Sequence, residues 1–230
     1  MTKQHEYYDL IASFPHLKDF TRAERVPINR ERVNERLSML VSDDWQVVEQ
    51  IAKLIQWSRH PLERSDEEMI EDYKHLQNII AVERIMEVVN VRTDVRTIVA
   101  ALRRRERGMP APRKGTQWGM GRWVRHIEEN WDDPDFKLAG VYPWITQARE
   151  YLSAAEPVQL EKLLMSENWN RLDSLTGMSN FEFEVVLAYL FKWDMLNRWV
   201  SYDGDEARIR FEELMTEVMH GTEELFEEEN

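Results

Sequence analysis

Residues 181–200, FEFEVVLAYLFKWDMLNRWV, constrain the fold more than any other segment of this chain. Apolar side chains cover most of the girth that this segment would have as a helix. The charged residues that interrupt it are Glu182, Glu184, Lys192, Asp194 and Arg198. Its longest unbroken apolar run, 185–191, is far shorter than the roughly 20 residues that a bilayer span requires. A helix that is apolar on most sides must be buried by protein on several sides. The segment therefore predicts the central helix of an all-α body.

The charged positions of this helix carry an expectation of their own. Burial of an unpaired charge is costly, so each one needs a partner or an exposed position. We expect Glu184, Lys192 and Arg198 to face other parts of the fold or a binding partner. No catalytic pattern accompanies them.

Composition narrows the class of protein. A chain of 230 residues can form one large or two small helical domains, and its 43% hydrophobic content with nine tryptophans excludes general disorder. The absence of cysteine excludes disulfides, thiolate metal sites and cysteine nucleophiles, and it fits a reducing compartment. The opening MTKQHEYYDL has no apolar signal region, so we expect a cytoplasmic protein.

Charge is unevenly distributed along the chain. The net charge of −13 argues against free binding to nucleic acid or to anionic membranes. Nevertheless, residues 92–125 are strongly basic, whereas the segment from residue 203 onward is strongly acidic. This asymmetry indicates either self-complementation or a partner of mixed charge.

Cap and breaker residues divide the chain into helices. The sequence Ser42-Asp43-Asp44 predicts a helix start, and the capping-box pattern at 65–68 predicts a long helix that begins near Asp66 and extends toward Leu102. Shorter helices are expected over 145–154 and 158–165, with Ser179-Asn180 as the cap of the central helix and a final helix over 206–220. No segment alternates as a β-strand over a useful length.

The loop 108–121 is rich in glycine and proline and is the clearest break in the chain. We expect it to be a flexible connector between an N-terminal helical lobe, 1–107, and a C-terminal helical lobe with an acidic tail, 122–230. Its glycines lack the lysine and the preceding strand of a phosphate-binding loop. The predicted fold is an all-α multi-helix bundle of two packed lobes.

The basic segment is the best candidate for a binding site. Arginines that precede the Gly-Pro break suit the negative end of a helix dipole, but they also suit docking of an acidic protein. With stacking tryptophans, they could instead contact nucleic acid. The predicted partner-binding residues are Arg92, Arg96, Arg103, Arg104, Arg105, Arg107, Trp118 and Trp123.

Two carboxylate–histidine pairs leave a metal site open as an alternative. Asp72 and His75, and likewise Glu217 and His220, are spaced i, i+3, as are the Glu-x-x-His ligands of helical di-metal proteins. A metalloprotein is therefore one alternative hypothesis. A nucleic-acid-associated protein that uses the basic residues 103–125 is the other.

Three stretches of the chain resemble known sequences. The opening, Tyr7-Tyr8-Asp9-Leu10-Ile11-Ala12-Ser13-Phe14-Pro15, resembles the "YYxLxASLP" start of a bacterial family that is encoded beside the genes of A/V-type rotary ATPases. The central helix is similar to that family's pattern F-x-x-E-x-x-x-A-Y-x-x-K-x-x-x-x-x-R-W, which falls on Phe181, Glu184, Ala188, Tyr189, Lys192, Arg198 and Trp199. Residues 90–98 look like the "D-x-x-N-L-R" region of the C-type subunit of A/V-type ATPases (the d-type subunit of eukaryotes), although Asn90 and Asp94 stand in a different order.

This resemblance implies a protein like the C-type subunit of V-type ATPases, without catalytic residues or cofactors. The C-type subunit is a funnel of helical lobes that couples the central stalk to the membrane rotor ring in hydrogen ion transport. By the same likeness, the present chain is a reduced version with fewer lobes. Its expected partners are other rotary ATPase subunits and no nucleic acid, and its expected attachment to the membrane is peripheral, through protein contacts only.

Overall fold

The computed structural model describes residues 6–55, 65–113, 115–177 and 181–201. Regular structure within these ranges is helical, and the one β pairing among them is an isolated antiparallel bridge between Glu6 and Glu182. This confirms the prediction of an all-α, multi-helix fold. None of the described helices combines the length and the hydrophobicity that a membrane span requires. The helix predicted over 206–220 and the cap predicted at Ser179-Asn180 lie outside the described residues.

The helices follow one another in a simple order. The first part of the chain contains α1 (Tyr8–Ser13), a 3-10 helix (Phe20–Arg22), α2 (Arg30–Leu37), α3 (Ser42–Ile55), α4 (Asp66–Ile79) and α5 (Glu83–Glu106). The second part contains α6 (Val124–Glu129), α7 (Trp144–Ser153), α8 (Pro157–Thr176) and α9, which covers residues 183–201.

Side-chain caps mark the starts of α2 and α4. Asn29 accepts a hydrogen bond from the backbone N–H of Arg32 and thereby starts α2. Ser65 and Glu68 form the predicted capping box at the start of α4, each side chain accepting from the other residue's backbone N–H. Helix α3 begins at Ser42, as the sequence predicts.

The prediction of one long helix from Asp66 toward Leu102 is wrong, because the chain turns between α4 and α5. Ile80 and Val82 adopt extended backbone conformations, and Ile80 is buried in the turn. No glycine or proline marks this turn, so the uninterrupted apolar pattern concealed it. The turn lets α5 enter the core with apolar residues on most of its sides.

The helix predicted over 158–165 is also wrong in extent. Helix α8 continues to Thr176, and its later turns bury Trp169 and Leu172. It ends at Gly177. By contrast, the helix expected over 145–154 is confirmed as α7, with a shift of one residue at each end.

Helix α5 joins two hydrophobic clusters. Its first half packs with α2, α3, α4 and α9 in the larger cluster, and its second half packs with α6, α7 and the start of α8 in the smaller one. Each cluster includes residues from both sides of loop 108–121. The hydrophobic cores are therefore not divided at the lobe boundary that the sequence predicts.

The opening segment of the chain packs directly on α9. The backbone N–H of Tyr7 donates to the carbonyl of Phe181 at 2.7 Å, and Tyr8 lies against the Phe181 ring at 4.1 Å between centroids. Phe14 stacks on Tyr189 at 4.1 Å, and the Tyr189 hydroxyl donates to the carbonyl of Pro15 at 3.0 Å. The two segments form one structural unit although about 170 residues separate them in sequence.

Candidate functional site

A stripe of polar side chains runs along the buried helix α5. Asn90, Thr93, Asp94 and Thr97 are spaced i, i+3, i+4, i+7 and are all buried. This spacing places them on one face of the helix. A buried polar group needs hydrogen-bond partners, so the stripe requires polar groups from a neighbouring segment.

Asp94 is the centre of this polar cluster and has no exposed surface. Its Oδ1 accepts from the backbone N–H of Arg122 at 2.9 Å. Its Oδ2 accepts from Nε and Nη2 of Arg122 at 2.9 and 2.7 Å, and from the hydroxyl of Tyr142 at 3.0 Å. The charge of this buried carboxylate is thus compensated by the guanidinium of Arg122, with the backbone N–H and the tyrosine hydroxyl as further donors.

The Asp94 carboxylate raises the pKa values of the Arg122 and Tyr142 side chains. Burial alone lowers the pKa of Arg122, but the hydrogen bonds and the charge of Asp94 outweigh it, so that the pKa is raised. Burial, followed by the charge of Asp94, raises the pKa of Tyr142, and the same two causes raise the pKa of Tyr73 to about 12. Both tyrosines therefore remain neutral hydrogen-bond donors at physiological pH.

The loop that follows residue 118 lies against the same face of α5. The Thr97 hydroxyl donates to the carbonyl of Met120 at 2.6 Å and accepts from its N–H at 2.9 Å. A side chain at Gly119 would place its Cβ only 2.8 Å from Cγ2 of Thr97, and one at Gly121 would overlap the Asp94 carboxylate. Gly121 also has a φ of +91°, which favours glycine.

The prediction of loop 108–121 as a flexible connector is therefore wrong for its last part. Residues 119–122 are fixed to α5 by hydrogen bonds from both backbone and side chains. The glycines provide the close approach that these bonds need. The polar stripe on α5 was the available signal in the sequence, because polar residues at helical spacing inside an apolar helix predict a buried polar contact.

The Asp94 cluster is a buried, hydrogen-bonded ion pair with a structural role. Its carboxylate oxygens are saturated with donors and closed off from solvent. Tyr142 extends the cluster outward, because it accepts from the indole N–H of Trp123 at 2.9 Å and lies beneath the Arg171 guanidinium of α8. The cluster thereby ties α5, the 119–123 segment and α8 together.

A groove of about 350 Å³ lies on another side of α5, between α8 and α9. Its apolar lining includes the buried residues Val95, Val99, Leu160 and Met195, whereas Ala100, Pro157 and Leu164 expose apolar surface. The charged residues that line it are Arg92, Arg96, Arg103, Arg198 and Glu161, so that positive charge dominates. We call this surface the basic groove.

Ion pairs fix two of the groove arginines. Arg92 lies 3.3 Å from Asp194 of α9, with only 12% of its side chain exposed, and burial lowers its pKa. Arg198 lies 3.2 Å from Glu161 of α8. The largely buried Arg92–Asp194 pair joins α5 to α9, whereas the nearly half-exposed Arg198–Glu161 pair joins α9 to α8 and contributes little to stability.

Asn168 in the groove wall is an exception to the pairing of buried polar groups. Its side-chain oxygen is buried and has no hydrogen-bond donor within the described part of the chain. An unsatisfied buried acceptor costs about 1–3 kcal/mol. Such an atom in a native fold calls for an explanation, and a functional role is one of the usual ones.

The predicted partner-binding residues fall into separate places. Arg92, Arg96 and Arg103 line the basic groove. Arg104 donates to the carbonyl of Pro110 at 2.8 Å, and Arg105 donates to the carbonyl of Asp133. Both of these arginines thus hold loops in place, while Arg107 is exposed at the end of α5.

The two predicted tryptophans have internal partners. Trp118 donates its indole N–H to Glu128 at 2.8 Å, and Trp123 donates to Tyr142. Trp123 also packs edge-on against the Tyr142 ring. Trp123 thus adjoins the Asp94 cluster through Tyr142, and neither tryptophan lines the basic groove.

Charged side chains of α9 have partners within the fold, as expected for Glu184, Lys192 and Arg198. Glu184, only 1% exposed, lies 3.5 Å from Arg84 at the start of α5. Lys192 pairs with Asp173 of α8 and lies over the Trp169 ring. Asp194 and Arg198 form the two ion pairs of the basic groove.

The metal alternative has half of its residues in the described part of the chain. Asp72 forms an ion pair with Lys53 at 3.1 Å, and His75 is exposed on α4. Glu217 and His220 lie outside that part. Among the residues that the structure describes, no group of three or more potential metal ligands is assembled.

The fold and these clusters define a helical protein in which buried charged side chains pair with charged residues of neighbouring segments. Residues 2–222 match the family described as "Protein of unknown function (DUF2764)". The chain therefore belongs to that family. No curated protein and no solved structure matches it significantly.

Proposed function

We propose that this protein is a non-catalytic coupling component of an A/V-type rotary ATPase, linking the central stalk to the membrane rotor ring. The starting point is the resemblance of its opening and of α9 to the family encoded beside such ATPases. In this role the chain works on the cytoplasmic side through protein contacts. It needs no cofactor for that role.

The observation that carries the proposal is the contact between the two segments that show the resemblance. Tyr7, Tyr8 and Phe14 pack on Phe183, Phe181 and Tyr189 of the α9 segment, respectively. The two segments that show the resemblance thus belong to one unit of the fold. Their contact supports a resemblance between whole structural units, and hence a related role.

The use of charge in the fold supports a mechanical role. Asp94, Glu184 and Arg92 lie inside the protein, where each is held by an opposite charge from another segment. Removing one partner of a buried pair is costly, so these pairs resist relative movement of α5, α9 and the 119–123 segment. A body that transmits force between a stalk and a ring needs this kind of internal rigidity.

Co-purification tests the proposed association. An affinity-tagged copy of the protein is expressed in its source organism and extracted from membranes in mild detergent. We expect it to recover stalk or rotor-ring proteins of the ATPase. Mass spectrometry of the recovered proteins measures this directly. An unrelated acidic helical protein carrying the same tag is the control. Recovery of no ATPase protein above that control would refute the proposed association.

A further inference from the structure

We propose that the basic groove is a docking site for an acidic, amphipathic segment of a protein partner. This inference rests on the proposed function only in assuming that the chain binds another protein. It does not require that partner to belong to an ATPase. The groove lies between α5, α8 and α9 and is distinct from the Asp94 cluster.

The charge of the groove selects the charge of its occupant. Four arginines and Glu161 line it, and Asp194 pairs with Arg92, so positive charges exceed negative ones by two in a protein whose net charge is −13. The positive surface is therefore a local exception on an acidic molecule. Complementary potentials favour an occupant that carries carboxylates.

The apolar walls select the second property of the occupant. Ala100, Pro157 and Leu164 expose apolar surface in the groove beside the arginines. A purely polar anion would leave these side chains unmatched, whereas an amphipathic helix places apolar residues on one face and acids on its flanks. Such a segment matches both features of the groove at once.

The same two features of the groove disfavour nucleic acid as its occupant. Duplex nucleic acid matches the arginines but offers the apolar walls little contact, and the acidic chain as a whole repels it.

Fluorescence anisotropy with designed peptides tests the proposal on the full-length protein. The probe is a labelled synthetic peptide with leucines on one helical face and glutamates on the other. The comparison peptide carries lysine in place of every glutamate. We expect the glutamate peptide to bind, with an affinity that falls as salt rises, and the lysine peptide to bind at least about tenfold more weakly.

Two variants locate the binding in the groove. Arg103→Glu reverses an exposed groove charge, and Ala100→Trp fills the groove without a change of charge; both positions are exposed, so folding should be retained and can be verified by thermal melting. We expect each to weaken binding of the glutamate peptide about tenfold. Arg107→Glu is the matched control, because it makes the same charge change at the same helix end outside the groove, and we expect it to bind like the wild type.

Several results would overturn the proposal. Equal losses in Arg103→Glu and Arg107→Glu would indicate unspecific attraction, and wild-type binding by Ala100→Trp would place the peptide elsewhere. Competition by a generic DNA duplex would assign the groove to nucleic acid. Tighter binding of a peptide with the sequence of residues 203–230 would assign it to the chain's own acidic segment. None of these results depends on whether ATPase proteins are recovered by co-purification.

Discussion

Replacement of Asp94 by alanine is expected to destabilise the protein by about 3–5 kcal/mol, the usual cost of removing one partner of a buried ion pair. The change leaves the Arg122 guanidinium, the Arg122 N–H and the Tyr142 hydroxyl without their acceptor. Chemical denaturation of the variant and the wild type measures the difference. Because residues 119–122 lose their anchor, we also expect faster cleavage by trypsin after Arg122 under native conditions.

Asp132→Ala is the control for this change. Asp132 is an exposed aspartate in the turn after α6, and its removal should change stability by no more than about 0.5 kcal/mol. In the double variant Asp94→Ala/Arg122→Ala, the loss should be smaller than the sum of the two single losses, because the residues form one interaction. A stability loss at Asp94 that matches the loss at Asp132 would contradict the role given to the cluster.

The second large effect is expected at Gly121. A Gly121→Ala variant places a Cβ on the Asp94 carboxylate and forces alanine into a backbone conformation with φ of +91°. The conformational strain alone costs about 1–2 kcal/mol. Displacement of the carboxylate from its donors adds to it, so we expect a total loss of at least about 3 kcal/mol by denaturation.

Gly108→Ala separates strain from contact. Gly108 also has a positive φ, +66°, but a Cβ there meets no atom within 4 Å. Its replacement should cost only the strain, about 1–2 kcal/mol. If the two alanine variants are equally stable, the close approach of Gly121 to Asp94 has no energetic role.

Local signals in the sequence predict much of this fold. The apolar girth of 181–200, the capping box at Ser65 and the absence of alternating strand patterns lead to the observed helical architecture. The turn between α4 and α5 could not be predicted in the same way. It occurs in an apolar run without a breaker, because tertiary packing of Ile80 outweighs local helix propensity there.

The candidate sites, like the fold, could be predicted from the sequence only in part. The basic segment predicts a binding surface, and three of its predicted residues, Arg92, Arg96 and Arg103, line one groove. Their separation from Arg104 and Arg105 depends on helix geometry and loop contacts, which composition does not reveal. The Asp94–Arg122 pair joins residues on two sides of a glycine-rich loop, so only the folded chain brings them together.

The most direct test of the coupling role is the ratio of ATP-driven ion transport to ATP hydrolysis in native membrane vesicles. Vesicles from cells that lack this protein should retain hydrolysis but lose most of the transport, and the wild-type protein supplied in trans should restore it. The unstable Asp94→Ala variant should restore less. An unchanged ratio of transport to hydrolysis in the absence of the protein would contradict the proposed function.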